Sequence, residues 1–274
     1  RTRNSQPGTI SGMGPKHLDM AEMTEGLITV KSKQELACMR EAGRIVALTF
    51  AELGKVIKPG VTTGELNRLA EEFILARGGR PAFKGLYGFP ASICTSVNEE
   101  VVHGIPGLRK LNNGDIISID IGVEINGYYG DGAVTFPVGT ITEEAQRLLR
   151  VTEEALYAGI AKARPGCRLS DISNAIQVYV ESRGYSVVRD YVGHGIGRSM
   201  HEEPQVPNFG RPGRGPRLRA GMTLAIEPMI NMGTHEVRVC ADNWTVVTKD
   251  ARLSAHFEHT VAITDAEPEI LTRL

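Results

Sequence analysis

The sequence predicts an α/β (α+β) protein of two pseudo-twofold related halves. They share one curved antiparallel sheet with helices on its outer side. Three observations predict it. A stretch of the first half recurs in the second. Helical apolar periods precede strand-like apolar runs in each half. Glycine is abundant, 31 of 274 residues against a typical share of about 7 %, which suits tight turns and close backbone approaches better than a helical bundle.

The first thirty residues are rich in Gly, Pro and Ser without a sustained period, and are expected to form a flexible extension. Residues 31–265 are expected to form a single domain with halves of about 31–140 and 141–265, followed by a tail over 266–274. Its first helix starts at "SKQE", where Ser32 and Glu35 make a capping box. Leu36, Met39, Gly43, Val46, Phe50 and Leu53 then recur at helical spacing. A second helix over 62–76 opens on Thr62 and Glu65.

That second helix has an echo. "KPGVTTGELNRLAEEFILARGG" (58–79) aligns with "RPGCRLSDISNAIQVYVESRGY" (164–185) at an offset of 106. "LNNGDIISID" (111–120) aligns with "LRAGMTLAIE" (218–227) at an offset of 107, placing Asp120 on Glu227. "DGAVTF" (131–136) resembles "EHTVAI" (258–263), placing Asp131 on Glu258. Three matches in one order imply duplicated halves, with a longer loop in the second.

Between Asp115 and Phe136, Asn126-Gly127 is a two-residue hairpin signal. It sets Gly122 opposite Asp131, with Asp120 diagonal to Asp131 on the same sheet face. Only a hydrogen on Gly122 separates the two carboxylates, a gap suited to an ion. A solvated sheet face or salt bridges to arginines is the alternative for Asp120 alone. The duplication weakens it, because it adds Glu227 and Glu258, both in apolar strand-like runs. Four converging acids cannot all ionise in such a setting without cations, and they balance two divalent ions in charge.

His194 and His201 lie in "YVGHGIGRSMHEEP" (191–204). This is not an HExxH helix, since Pro204 intervenes and position 205 is Gln. Four carboxylates and an imidazole suit Mn, Fe, Co or Zn. Loop-capping histidines are the plain alternative.

Taken together, "CTSVNEEVVHGIP" (94–106), "DIGVEINGYYGDGAVTF" (120–136), "GHGIGRSMHEEP" (193–204), "GMTLAIEPM" (221–229) and "FEHTVAIT" (257–264) resemble the type I methionine aminopeptidases, over about residues 30 to 265. The resemblance implies the pita-bread fold. It also implies two divalent metal ions (Co, Mn, Fe or Zn) held by Asp120, Asp131, His194, Glu227 and Glu258, with Asp131 and Glu258 bridging and a water or hydroxide between the metals. Glu227 would shuttle the proton. His201 would hydrogen-bond the substrate carbonyl oxygen, and His103 would sit near the scissile nitrogen. Phe89, Cys94, Met200 and Trp244 would line the methionine slot. Phe89 stands where the family commonly has tyrosine, and Met200 where an aromatic is usual.

The resemblance further implies release of N-terminal methionine before a small second residue. The chain would be a cytoplasmic monomer acting on nascent peptide N-termini, with transient ribosome contact. The near-zero net charge, −1, gives no general attraction to DNA or an anionic membrane. Cys38, Cys94, Cys167 and Cys240 form no CxxC pair and read as free thiols. The Arg/Gly-rich loop 208–221 is expected to rim the cleft, touch ribosomal RNA or stay solvated. Three rival readings are an Xaa-Pro aminopeptidase or dipeptidase of the same fold, a non-enzymatic binding protein, and a hydrolase using Cys94 with His103.

Overall fold

The computed structural model describes residues 27–274, so the expected extension over 1–30 lies almost wholly outside the described residues. Helix α1 (Lys33–Gly54) begins where the capping box places it. The Glu35 N–H donates to Ser32 Oγ, and the Ser32 N–H donates to the Glu35 carboxylate. Met39, Gly43, Val46, Phe50 and Leu53 form its buried stripe. Helix α2 (Thr63–Leu75) is capped the same way by Thr62 and Glu65.

The second half repeats this plan. Helix α3 spans Glu143–Ile160 and helix α4 spans Leu169–Glu181. Both ends of α4 lie 106 residues after those of α2 (169 − 63 and 181 − 75). In both, the acid at the third helical position accepts the cap residue's N–H, Glu65 from Thr62 and Asp171 from Arg168. Isolated bridges join Thr62 to Lys110 and Arg168 to Arg217, again one repeat apart.

One nine-stranded sheet runs through both halves. Its strands are β1 (Arg80–Pro81), β2 (Cys94–Val97), β3 (Ile116–Ile125), β4 (Tyr128–Pro137), β5 (Gly193–Gly195), β6 (Glu202–Val206), β7 (Thr223–Ile226), β8 (Glu258–Ala262) and β9 (Glu269–Ile270). The main order is β1-β3-β4-β8-β7-β5-β6, with β2 beside β3 and β9 beside β8. The repeat partners β4 and β8 are the antiparallel pair where the halves meet.

Each half covers its outer sheet face with its own helices. Ile45, Val46, Leu66 and Ile74 pack with Ile117, Ile119 and Ile121 in the first half. Leu148, Leu156, Ile172 and Ile176 pack with Leu224, Ile226 and Val261 in the second. Alternation along β3 therefore sends Ile117, Ile119 and Ile121 outward into the core and Asp120 to the other face.

One expectation needs correction. Residues 266–274 are more than a tail. β9 pairs with β8, Leu271 is buried, and Thr272 Oγ1 accepts the Thr260 N–H and bonds His259 Nδ1. Arg40 of α1 clamps Glu269 with two hydrogen bonds. Of the alternatives for loop 208–221, the structure shows a largely solvent-exposed loop with three backbone N–H groups held by side chains of α4. The Gly213 N–H donates to Asp171, the Arg214 N–H to Ser170 and the Gly210 N–H to Gln177. At the start of the described chain, buried Lys31 pairs with Glu202 at 2.6 Å, tying it to β6.

Candidate metal centre and substrate cleft

The hairpin geometry is as the sequence predicts. Asn126 and Gly127 both have positive φ, 54° and 77°, the signature of the turn that matches strand twist. Ile125 faces Tyr128 and Gly122 faces Asp131. Asp120, two residues from Gly122, thus lies diagonal to Asp131. β8 brings Glu258 beside β4, opposite Ala133. Glu227 follows the end of β7, where Asn208 donates to its carbonyl. β5 carries His194, next to β7.

These side chains share one cavity of about 230 Å³. It is lined by Asp120, Asp131, His194, Glu227 and Glu258, together with His103, His201, Phe89, Cys94 and Trp244. Met200, expected in the lining, is buried in the same apolar cluster as the lining residues Phe83, Phe89 and Cys94. The space over Gly122 is not left for an ion. A Cβ there would lie 2.7 Å from Phe83 and 3.0 Å from Ala82 and Met200. The absent side chain admits the apolar wall of the cleft beside the carboxylates.

His194 Nδ1 lies 2.8 Å from the Gly195 carbonyl. A carbonyl only accepts, so Nδ1 carries the proton and Nε2 presents a bare lone pair. That lone pair is 3.5 Å from Asp131 Oδ2 and 3.6 Å from Glu227 Oε1. Three acceptors facing one another without a proton between them repel, and a cation removes the repulsion. Two triads place one ligand atom each within 4.8 Å of one another: Asp131, His194 and Glu258, and Glu227, His256 and Glu258. Asp120 Oδ1, Asp131 Oδ1 and Glu258 Oε1 are buried without a hydrogen-bond partner. The donor set fits divalent ions of intermediate hardness.

Electrostatics points the same way. Burial and the neighbouring acids push Asp120, Glu227 and Glu258 well above the ordinary carboxylate range. Burial pushes Asp131 up to about 7, against hydrogen bonds from Asp120 and Gly132 that lower it. Left metal-free, the cluster must hold protons. The Cys94 thiol is pushed well up by burial and by Asp120, Asp131 and Glu258, which leaves no thiolate for a cysteine hydrolase.

The other histidines differ in setting. His103 has a left-handed backbone, φ 59°, and meets the edges of Tyr191 and Trp244. His201 is exposed, packs edge-on against His194 at 4.5 Å and stacks on Tyr87 at 5.8 Å. Burial brings His103 down to about 4, and partial desolvation within the cleft together with neighbouring His194 brings His201 to about 4, so both are neutral near pH 7. Trp244 meets Phe89 edge-on at 5.1 Å, forming an apolar corner next to Cys94.

Sequence reasoning missed three lining residues, Phe83, Leu86 and Tyr87, and one buried group, His256. His256 Nε2 is 3.6 Å from Glu227 Oε2 and has no hydrogen-bond partner. Its position two residues before Glu258 was the available signal.

The chain matches the model of metallopeptidase family M24 over residues 37–265. It is 60% identical to methionine aminopeptidase 1 of Bacillus subtilis, over 90% of this chain and 100% of that protein. It superposes on the crystal structure of methionine aminopeptidase from Rickettsia prowazekii with a TM-score of 0.89 and 45% identity, covering 90% of this chain and 100% of the other. Prolidase from Pyrococcus furiosus shares the fold, with a TM-score of 0.73 at 22% identity, covering 92% of this chain and 67% of the prolidase. Close identity along nearly the full length, joined to an acid cluster built for cations, makes this chain a member of metallopeptidase family M24, within its methionine aminopeptidase group.

Proposed function

We propose that the chain is a metal-dependent aminopeptidase that removes N-terminal methionine from peptides and nascent proteins whose second residue is small. One observation carries this reading. The cation-shaped acid cluster and an apolar corner open into the same enclosed cleft. Asp120, Asp131, His194, Glu227 and Glu258 would hold two divalent ions, of Co, Mn, Fe or Zn. When bound, such ions supply Lewis acidity and make a water nucleophilic near neutral pH.

The chain's own residues supply the rest. The Phe89, Cys94 and Trp244 corner, with Phe83 and Leu86, takes an unbranched thioether side chain by burial. A free α-amine meets the carboxylates at the cavity floor, whereas a blocked terminus offers them nothing. Glu227 is placed to accept the proton of the attacking water and return it to the departing amide nitrogen. His201, neutral at the mouth, donates to the carbonyl oxygen as charge builds on it. His103 orients the leaving nitrogen from the Trp244 side. Tyr87 and His201 narrow the exit, which supports a small second residue. The widely spaced cysteines support a cytoplasmic setting. Monomeric action near the ribosome completes the reading.

The test is hydrolysis of Met-Ala-Ser by metal-stripped protein given Mn²⁺ or Co²⁺, beside an Ala-Pro peptide. Methionine release should require metal and vanish in Asp131→Asn. It should slow about 10²–10³-fold in His201→Ala. A folded, metal-bound protein that cleaves only the Ala-Pro peptide, or neither, overturns the reading.

A further inference from the structure

Glu227 takes the shuttle role in the function proposed above, yet among the described residues no hydrogen bond fixes its carboxylate plane. Its backbone is held, with Asn208 Nδ2 donating to its carbonyl oxygen at 3.1 Å. Its side chain ends in a torsion with a broad, nearly two-fold profile. The two oxygens face different imidazoles. Oε1 lies 3.6 Å from His194 Nε2, and Oε2 lies 3.6 Å from His256 Nε2. His194 has its proton on Nδ1, engaged by Gly195, so toward Glu227 it offers only a lone pair. His256 is the group on the other side, 1% exposed, with Nε2 enclosed and unpartnered.

The strand Ser254–His256 keeps that ring in place. It pairs antiparallel with Met229–Asn231, the strand that follows Glu227, with His256 opposite Met229. The His256 N–H donates to Thr135 Oγ1 at 2.9 Å, and Thr135 Oγ1 donates to the His256 carbonyl at 2.8 Å. Ser118 Oγ lies 2.8 Å from that same Thr135 hydroxyl, so the backbone of His256 is anchored to the β3–β4 hairpin.

We propose that His256 is a positioning residue for Glu227: its Nε2–H donates to Oε2 and fixes the carboxylate plane, leaving Oε1 on the His194 side for an ion. Buried polar groups are normally paired, and the gap of 3.6 Å is the kind that closes when a site engages its ion or substrate. His256 would then act through Glu227 rather than touch the reacting atoms. A second imidazole ligand is the competing role, since Glu227, His256 and Glu258 also converge within 4.8 Å. A glutamine separates the two, because its amide N–H donates as the imidazole does but binds transition metals poorly.

The inference rests on the proposed shuttle role of Glu227, and its test has an arm that does not. Mn²⁺ is titrated calorimetrically into metal-stripped wild type, His256→Gln and His256→Ala, with thermal unfolding as the check on folding. The same proteins are assayed on Met-Ala-Ser for kcat and KM. His256→Ala should bind Mn²⁺ and turn over about 10–100-fold less well, the range typical of a lost partner to a ligand, with KM little changed. His256→Gln should recover most of both. Equal impairment of the Gln and Ala variants, or no effect in either, overturns the proposal. If wild type binds Mn²⁺ but spares Met-Ala-Ser, the aminopeptidase reading fails while the Mn²⁺ series still decides the positioning role.

Discussion

Gly122 shows how much one missing side chain decides. It separates Asp120 from Asp131 along the sheet, and the room it leaves is taken by Phe83, Ala82 and Met200. Gly122→Ala should therefore act on the apolar corner before it acts on the ions. Overpacking of this kind costs about 1–3 kcal/mol, and KM for Met-Ala-Ser should rise more than the Mn²⁺ dissociation constant. Equal changes in both would mean that the space belongs to the metal centre. At this scale the four acids stood out because each is a charged group in or beside a strand-like run, whereas neutral His194 was marked only by its glycine-rich setting. His256 passed unnoticed: a histidine in "SAHFEH" carries no formal charge to betray a burial cost, its place two residues before Glu258 was the one sequence hint, and strand pairing with Met229 is what fixes its direction. Adjacency to His201 in sequence does not say which face of a turn Met200 takes; it packs into the apolar cluster of Phe83, Phe89 and Cys94.

Among the elements, caps and the hairpin were readable because local hydrogen bonding dictates them. Thr62→Ala removes the acceptor for the Glu65 N–H and should lower stability by about 1 kcal/mol in chemical denaturation. The packing of α1 on the sheet is a longer-range fact. A Cβ on Gly130 would lie 2.7 Å from the Gly43 nitrogen, and one on Gly43 would lie 2.3 Å from the Leu271 carbonyl oxygen. Backbone meets backbone at both points, so no side chain can swing aside. Gly130→Ala should destabilise by about 3 kcal/mol or more; a loss below about 1 kcal/mol would show that α1 shifts without cost. Gly43 read as one more position in a helical stripe, although its role is close approach. The strand at Glu269–Ile270 escaped notice because two paired residues show no period, and its pairing with β8 is set by tertiary contact.

For the whole molecule, the duplicated plan was legible from the 106- and 107-residue echoes, and the fold of two halves on one sheet followed from it. Its charge balance makes a prediction. Asp131 titrates at about 7, and Asp120, Glu227 and Glu258 lie well above their ordinary range. The folded, metal-free chain then keeps protons that the unfolded chain releases, so stability falls as pH rises. His103, His201 and His259, at about 4, His256, at about 3, and His194, also lowered, act oppositely, with most of their effect below their ordinary 6.5. Above about pH 7.5, where unfolded-state histidines are already neutral, the raised carboxylates dominate, and Tm of metal-stripped protein should drop with pH. Saturating Mn²⁺ should flatten that slope. A pH-independent Tm without metal would contradict the electrostatic picture of the cluster.

The meeting of β4 and β8 at the pseudo-twofold axis also sets the order in which the centre can come into being. Asp120 and Asp131 are made in one half, and His194, Glu227 and Glu258 in the other. A chain elongating on a ribosome exposes an acidic hairpin long before its counterpart exists. The bridging position needs acids from both halves, so the complete centre forms only once β8 slots in beside β4, and ions held there would rivet the two halves together.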